Sequence, residues 1–211
     1  MRPTKAEMER ALEVRHGKVL QERFSRASVA VCGLGGLGSN VAIALARAGI
    51  GRLHLIDFDR VELSNLNRQQ YGVSQLGIYK TEAMKQIISG VTPYCDVTID
   101  TVRLTEENIG WLTENEEIIC ECLDGAESKA MLVNRILENQ PEKYVVAASG
   151  MSGLHGANSI QTRRVTQRLY VCGDGKSDVE VDGTLFASRV MCCAAHQANT
   201  VLRIVAGKFE V

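Results

Sequence analysis

The sequence predicts an α/β protein of the Rossmann-like, doubly wound type: a mainly parallel sheet with an antiparallel C-terminal portion. Three observations point to it. A short apolar run, "ASVAVC", leads straight into the glycine cluster "GLGGLGSN" and then into an apolar helical stretch, "VAIALARAG"; strand, glycine turn and helix in that order open a βαβ unit. Apolar runs of strand length then alternate with helical periodicity to about residue 150, the pattern of parallel strands joined by right-handed crossovers. Only three prolines and no internal repeat interrupt it, so 211 residues read as a single domain, numbered 1–211, with one sizeable core.

Taken in order, residues 5–26 carry Met8, Leu12, Val19, Leu20 and Phe24 near helical spacing and predict an N-terminal amphipathic helix. The first strand, glycine turn and helix come next, the helix closed by Gly49, and "RLHLID" is the second strand. A helix around "KTEAMKQIISG", a strand near "DVTIDTV", a short helix at "TEENIGWL" and the strand "EIICECL" extend the alternation. The helix "AESKAMLVNRILENQ" and the strand "KYVVAAS" complete a core of about residues 27–150. Beyond Gly150, "GMSGLHGANSIQTRRVTQRLYV" reads as short antiparallel strands and turns. The polar "CGDGKSDVEVDG" is expected to be a mobile surface loop, and "TLFASRVMCCAAHQANTVLRIVAG" a last helix.

Composition narrows the function classes. With a formal net charge of −1 and basic residues scattered along the chain, the footprint that suits a nucleic-acid backbone is missing. No apolar run has the length of a signal peptide or a membrane span, so a cytoplasmic protein without a membrane partner is expected. Seven cysteines, an odd number set mostly in apolar segments, argue for reduced thiols. There is no CxxC, and with four scattered histidines no structural zinc is expected.

The chemistry concentrates in two stretches. Gly33, Gly35 and Gly38 form GxGxxG with Gly36 added, which permits a tight turn and close approach of a phosphate to the backbone, while the helix start offers unpaired N–H groups to an anion. A packing turn is the bland alternative. The second stretch, "DFDRVELSNLNRQQY", is longer and richer in charged and amide side chains than an ordinary strand-to-helix connection. Asp57 ends the second strand, where an acid accepts ribose hydroxyls or caps a turn; the ribose role serves NAD and ATP equally.

The residues beyond Asp57 separate those nucleotides. Hydride transfer gives no reason to place Asp59, Ser64, Asn65, Arg68 and Gln69 past the ribose acid, with Lys80 beyond. Phosphoryl or nucleotidyl transfer does, because fixed cations and amide donors stabilise charge developing on phosphate oxygens. Arg68 and Lys80 are therefore candidate triphosphate clamps, each with a solvated surface charge as its alternative. Asp124, in "CECLDGAESK" at the end of the fourth strand, is the candidate magnesium ligand, with the N-cap of the next helix as its competing role.

In this order, "GLGGLGSNVAIALARAGIG", "LIDFDRVELSNLNRQ", "GIYKTEA" and "CLDGAESK" resemble the ubiquitin-activating superfamily, specifically the ThiF/MoeB group, over about residues 15–140. The short length looks most similar to the compact ThiF type of thiamine biosynthesis. The resemblance implies an adenylyltransferase: the C-terminal glycine carboxylate of a ubiquitin-like sulfur carrier ending in Gly-Gly attacks the α-phosphorus of MgATP, giving a carrier acyl-adenylate and pyrophosphate. It implies that Asp57 holds the ribose, that Asn65, Arg68 and Lys80 hold the phosphates, and that Asp124 holds magnesium. It further implies a homodimer in which Arg15 reaches the partner's triphosphate, and a carrier-binding part at about residues 151–211. The local sequence "EVRHGKV" departs from the group's pattern, and a helix-surface arginine is the competing role for Arg15. The paired CxxC motifs of many relatives are absent, and "SDVEVDGT" carries no thiol where sulfur-transferring relatives place one. Cys172, beside the polar loop, is the remaining candidate for a reactive thiol. An NAD-dependent oxidoreductase, a ThiF-fold enzyme with another acceptor (a molybdopterin carrier, a peptide or a tRNA), and a non-catalytic carrier-binding module are the alternatives.

Overall fold

The computed structural model describes residues 2–211. Helix α1 spans Lys5–His16 and α2 spans Lys18–Arg26. The single amphipathic helix expected over 5–26 is thus broken at Gly17, which sits at φ +83°, a left-handed value that glycine adopts without strain. Thr4 and Glu7 form a reciprocal capping box at the start of α1, yet no residue of α1 is buried; α2 is anchored by Gln21 and Phe24.

Strand β1 (Ser28–Cys32), helix α3 (Gly36–Ala48) and strand β2 (Arg52–Ile56) form the first βαβ unit. Helix α4 (Lys80–Val91), strand β3 (Asp96–Asp100), the single-turn helix α5 (Ile109–Leu112) and strand β4 (Ile118–Glu121) continue the chain. Then come helix α6 (Ala126–Asn139), strands β5 (Tyr144–Ala148), β6 (Gln161–Arg164) and β7 (Leu169–Gly173), the short helix α7 (Val179–Asp182) and helix α8 (Ala187–Val205). The seven strands lie in the order β3-β2-β1-β4-β5-β7-β6. All neighbours run parallel except β6 and β7, which pair antiparallel at the edge as the sequence predicts.

This order places the site. The chain winds outward from β1 through β2 to β3, then returns to lay β4 on the other side of β1, so the crevice opens between the carboxyl ends of β1 and β4. Every residue of β1 and β4 is buried, because helices cover both faces. On one face α3 and α8 pack with α4 over Val29, Val31, Leu53 and Leu55; on the other, Leu112 of α5 and Leu132 and Ile136 of α6 cover Ala30, Ile56 and Ile119. Buried Gln197 of α8 donates through Nε2 to the carbonyls of Glu121 and Val146 at 3.0 and 3.1 Å, tying the last helix to the upper part of the sheet. No helix of the described residues is long and apolar enough to cross a membrane.

The polar stretch after β7, expected to be a mobile loop, is instead held in place. Asp174 receives the backbone N–H groups of Lys176 and Ser177 and is bonded by buried Arg189, whose guanidinium also binds the carbonyls of His155 and Gly156. Asp182 accepts from Ser152 and pairs with His155, and Thr184 accepts the Gly153 N–H. Sequence polarity concealed this, since each acid finds its partner from a distant segment. Cys172 is fully buried on β7, and burial pushes its thiol up, so the exposed, reactive cysteine considered from the sequence is corrected to a structural one.

Burial pushes the Asp174 carboxyl up, but the Ser177 and Lys176 N–H groups and the Arg189 charge outweigh it and hold the value down at about 2. A lowered carboxyl contributes stability that is present above its unfolded value near 4 and is lost as pH falls toward about 2. Asp174→Asn is expected to lower unfolding free energy by about 2 kcal/mol at pH 7, with the gap to wild type closing as urea melts are repeated toward pH 2. An undiminished gap at the lowest pH would refute the linkage.

Candidate functional site

The glycine turn is built to a tolerance that only glycine meets. Gly33 lies at φ +89°, and a Cβ there would stand 2.6 Å from the Cys122 carbonyl oxygen. On Gly38 a Cβ would fall 1.8 Å from the Gly33 oxygen, and on Gly36 it would meet Val190 at 2.9 Å. The turn is thereby pressed between β1, β4 and α8. Gly35 is the N-cap of α3 and no side chain caps the helix, so its first N–H groups face the crevice without a protein acceptor.

Asp57, buried at the end of β2, accepts from Leu34 N through Oδ2 at 2.6 Å and from Asp59 N through Oδ1 at 2.7 Å. Each oxygen keeps one lone pair, so the carboxylate can fix the turn and still receive hydroxyls. Burial pushes its carboxyl up, against the charge of Lys80 and the two N–H donors. Lys80 is only 5% exposed and pairs with Asp59 Oδ2 at 2.8 Å, which sets aside the reading of it as a solvated surface cation.

The long connection between β2 and α4 folds back on the glycine turn. Its base is closed where Lys80 N donates to the Asp59 carbonyl and Val61 N to Ile78. Its crown docks through Tyr71 Oη to the Leu34 carbonyl, Gln70 N to Ser39 Oγ, and the Asn40 side chain to Gly36 O and Arg68 O. Arg68 lays its stem against Gly36, with its guanidinium on Ser64 O and Asn67 Oδ1. Asn65 is buried and its Oδ1 accepts the Glu62 N–H, which orders the 3₁₀ turn containing exposed Ser64. Gln69 is buried beside Gly35, and its Oε1 has no partner.

These parts converge on a cleft lined by Gly33, Gly35, Asp57, Asp59 and Lys80 on one side and by Leu123, Asp124 and Ser128 on the other. Val102, Leu104 and Ile56 form its apolar wall, and Arg103 stacks over the Phe58 ring at 3.9 Å on the rim. Asp124 is exposed to this space and makes no hydrogen bond or ion pair among the described residues. The N-cap of α6 is Gly125 at φ +75°, so the capping role considered for Asp124 is not the one it takes. Among the described residues, no three His, Cys, Asp or Glu side chains gather as a metal cage. Of the sequence-predicted set, Gly33, Gly35, Asp57, Asp59, Lys80 and Asp124 line one cleft. Gly36, Gly38, Arg68 and Gln69 stand at the adjoining helix start, and Ser64 and Asn65 shape the turn beside it. Arg15 is exposed near the end of α1, outside the cleft. Phe58, Arg103, Ser128, Tyr71 and Asn40 were not singled out in the sequence; only Asn40, directly after the glycine cluster, carried a local signal.

A glycine turn at the switch point, an acid at the end of β2 and a buried lysine define a nucleotide-binding α/β protein. The chain belongs to the ThiF family, whose model matches residues 8–211. It is 34% identical over 149 residues, 70% of this chain, to the tRNA threonylcarbamoyladenosine dehydratase of Haemophilus influenzae, covering 56% of that protein. It is 36% identical over 153 residues, 72% of this chain, to the adenylyltransferase and sulfurtransferase UBA4 of Eremothecium gossypii, covering 34% of it. The chain thus spans between about a third and just over half of the curated relatives it matches. The fold also matches the crystal structure of the Escherichia coli tRNA N6-threonylcarbamoyladenosine dehydratase in complex with AMP, with a TM-score of 0.85 and 23% identity, covering 99% of this chain and 98% of that one.

Because the Gly38 position is in collision range of the Gly33 carbonyl, Gly38→Ala forces β1 and α3 apart. It is expected to cost about 1–3 kcal/mol in urea melts and to abolish nucleotide binding measured by calorimetry. Binding at wild-type affinity would show that the close approach does not serve the site.

Proposed function

We propose that the chain is an ATP-dependent adenylyltransferase that transfers AMP to a carboxylate acceptor and releases pyrophosphate. The carrying observation is the pairing, across one cleft, of a buried lysine with a carboxylate that no protein group engages: Lys80 faces the phosphates and Asp124 stands ready for a cation. An oxidoreductase on NAD could use the lysine for its pyrophosphate but has no use for the metal-ready carboxylate. The cleft lining sums to a formal charge of −1, from Asp57, Asp59 and Asp124 against Lys80 and Arg103. A polyanion alone would be repelled by such a surface, and MgATP fits it.

Each group then has a task. Asp57 receives the ribose hydroxyls on its spare lone pairs, and the base lies along Val102 and Leu104. The uncapped start of α3, Lys80 and, after leaving its own loop carbonyls, Arg68 bind phosphate oxygens; Asn65, Ser64 and Gln69 supply the neighbouring polar wall. Asp124 would hold magnesium together with phosphate oxygens, which would neutralise charge on the departing pyrophosphate. An acceptor carboxylate is ionised at neutral pH and attacks the α-phosphorus directly, so no general base is required.

For the acceptor we favour the C-terminal glycine of a ubiquitin-like sulfur carrier ending in Gly-Gly. The likeness to UBA4, an adenylyltransferase and sulfurtransferase, supports it, with a carrier of the thiamine pathway as the first candidate. A tRNA nucleoside is the second reading, favoured by the 34% identity to a dehydratase of tRNA threonylcarbamoyladenosine. Residues 151–211 carry the acceptor-binding surface. Since Arg15 lies outside the cleft of its own chain, it serves a triphosphate only across a homodimer.

The test is pyrophosphate exchange into ATP with a panel of Gly-Gly-ended carriers from the thiamine and molybdopterin pathways, each also lacking its last glycine, and with tRNA. Exchange with one acceptor is expected, lowered about 10²–10³-fold by Lys80→Ala or Asp124→Asn. Saturable NADH binding without ATP competition, or exchange indifferent to both substitutions, would overturn the reading.

A further inference from the structure

Glu121, the last residue of β4, is 1% exposed, and its carboxylate is bound from both sides of the turn after it. Lys129 Nζ reaches both carboxylate oxygens at 3.0 Å, and Oε1 also accepts the Leu123 N–H at 2.7 Å. Residues 122–125, which carry Asp124, are therefore clasped between an acid before them and a lysine after them. Burial pushes the Glu121 carboxyl up, and Lys129 and the Leu123 N–H oppose it.

Two features mark this pair as more than ordinary packing. Lys129 sits in the first turn of α6, the positive end of the helix dipole, where a cation is disfavoured. And the same device occurs at the end of β2: Asp57 accepts the N–H two residues on, from Asp59, just as Glu121 accepts the N–H two residues on, from Leu123. In both cases the buried acid sets the turn that presents another acid, Asp59 or Asp124, to the cleft. The main chain of the second turn is fixed as well, with Cys122 N on the Cys32 carbonyl and Gln197 on the Glu121 carbonyl.

We propose that the Glu121–Lys129 ion pair is a positioning device that holds Asp124 in its metal-ready place. The proposal rests on the reading of Asp124 as the carboxylate that receives the metal of a metal–nucleotide complex. Asp124 has no bond of its own, so its place is set through the Leu123–Asp124 backbone by the carboxylate beneath it.

The test uses the full chain, Mn²⁺ followed by electron paramagnetic resonance, and α,β-methylene ATP. The apolar double variant Glu121→Leu/Lys129→Met removes both partners of the pair together, whereas deleting Lys129 alone strands the buried Glu121 charge. It is expected to melt close to wild type and bind metal-free AMP unchanged, while its Mn²⁺ affinity in the presence of the analogue falls about 10–100-fold, the range for groups that orient a metal ligand. Lys129→Arg restores the pair and is expected to stay within about threefold of wild type. Should the double variant fail to fold, Lys129→Gln, with the Glu121–Leu123 bond retained, is expected to weaken Mn²⁺ about threefold to tenfold. Wild-type Mn²⁺ affinity in the folded double variant, or in Lys129→Gln where the double does not fold, overturns the positioning role. Asp124→Asn separates the two readings: if it weakens Mn²⁺ and the pair variants do not, only the positioning role falls, and if it too leaves Mn²⁺ binding intact, the metal role of Asp124 falls and the positioning role with it.

Discussion

The close approach of the Gly33–Gly38 turn to the Cys122 carbonyl is the constraint on which the rest depends. Three strand ends meet there: Gly33 N donates to Ile56 O of β2, Cys122 N donates to Cys32 O of β1, and the carbonyl of Cys122 occupies the space a side chain on Gly33 would need. Because the turn has no side chains, α3 begins against the sheet with its first N–H groups aimed between β1 and β4. The acid at the end of β2 then reaches Leu34 N, and Tyr71 reaches the Leu34 carbonyl, so even the long connection before α4 is folded onto the glycine turn. A displacement of this turn moves the helix start, Asp57 and Asp124 together.

Charge is distributed around that turn by a consistent rule. Asp59 is neutralised by Lys80 and Glu121 by Lys129, each pair taking up a charge close to or within the core. In each pair one partner is buried and the other reaches solvent, and such pairs add little net stability against apolar residues of the same volume, so their worth lies in fixing direction. Asp124, exposed to the cleft, has no partner among the described residues. An unpaired acid that turns an otherwise balanced lining net negative is poorly matched to a free anion and well matched to an anion that arrives with a cation. The chemistry of the site is thus set less by which acids are present than by which one the fold leaves uncompensated.

Much of this was legible in the sequence because it is encoded locally. Gly33, Gly35, Gly36 and Gly38 lie within one turn, and strand–turn–helix order fixes what they do; "DFD" ends a strand, so Asp57 and Asp59 had to reach the crevice. The alternation of strands and helices gave the sheet, and the antiparallel edge came from the short polar runs after Gly150. What the sequence hid are pairings between distant segments. Nothing near Glu121 announces that it is buried, since "ECLD" reads as a polar strand end, and Lys129 resembles any lysine on a helix. The "CGDGKSDVEVDG" stretch has no apolar face, so its anchoring by Arg189, fifteen residues after Asp174, has no periodic signal. Gly17 broke a helix whose apolar spacing continued on both sides, because one residue's φ overrides a pattern that averages over many.

On the adenylation reading, the distribution of thiols limits the chemistry open to the acyl-adenylate. Of the seven cysteines only Cys122 lines the cleft, and it is buried at its floor with its thiol pushed well up by burial, where a thiolate does not form. Cys172 is buried beneath α8 and Cys193 on that helix's own inner face, and Cys192 and Cys95 are partly covered and outside the cleft. On that reading the cleft itself presents no reactive thiol to an acyl-adenylate. The segment from Gly150 to Phe186 is ordered by ties made away from the cleft, Asp174 to Arg189 of α8 and Asp182 to Ser152 and His155, so its shape is set without drawing on the cleft residues.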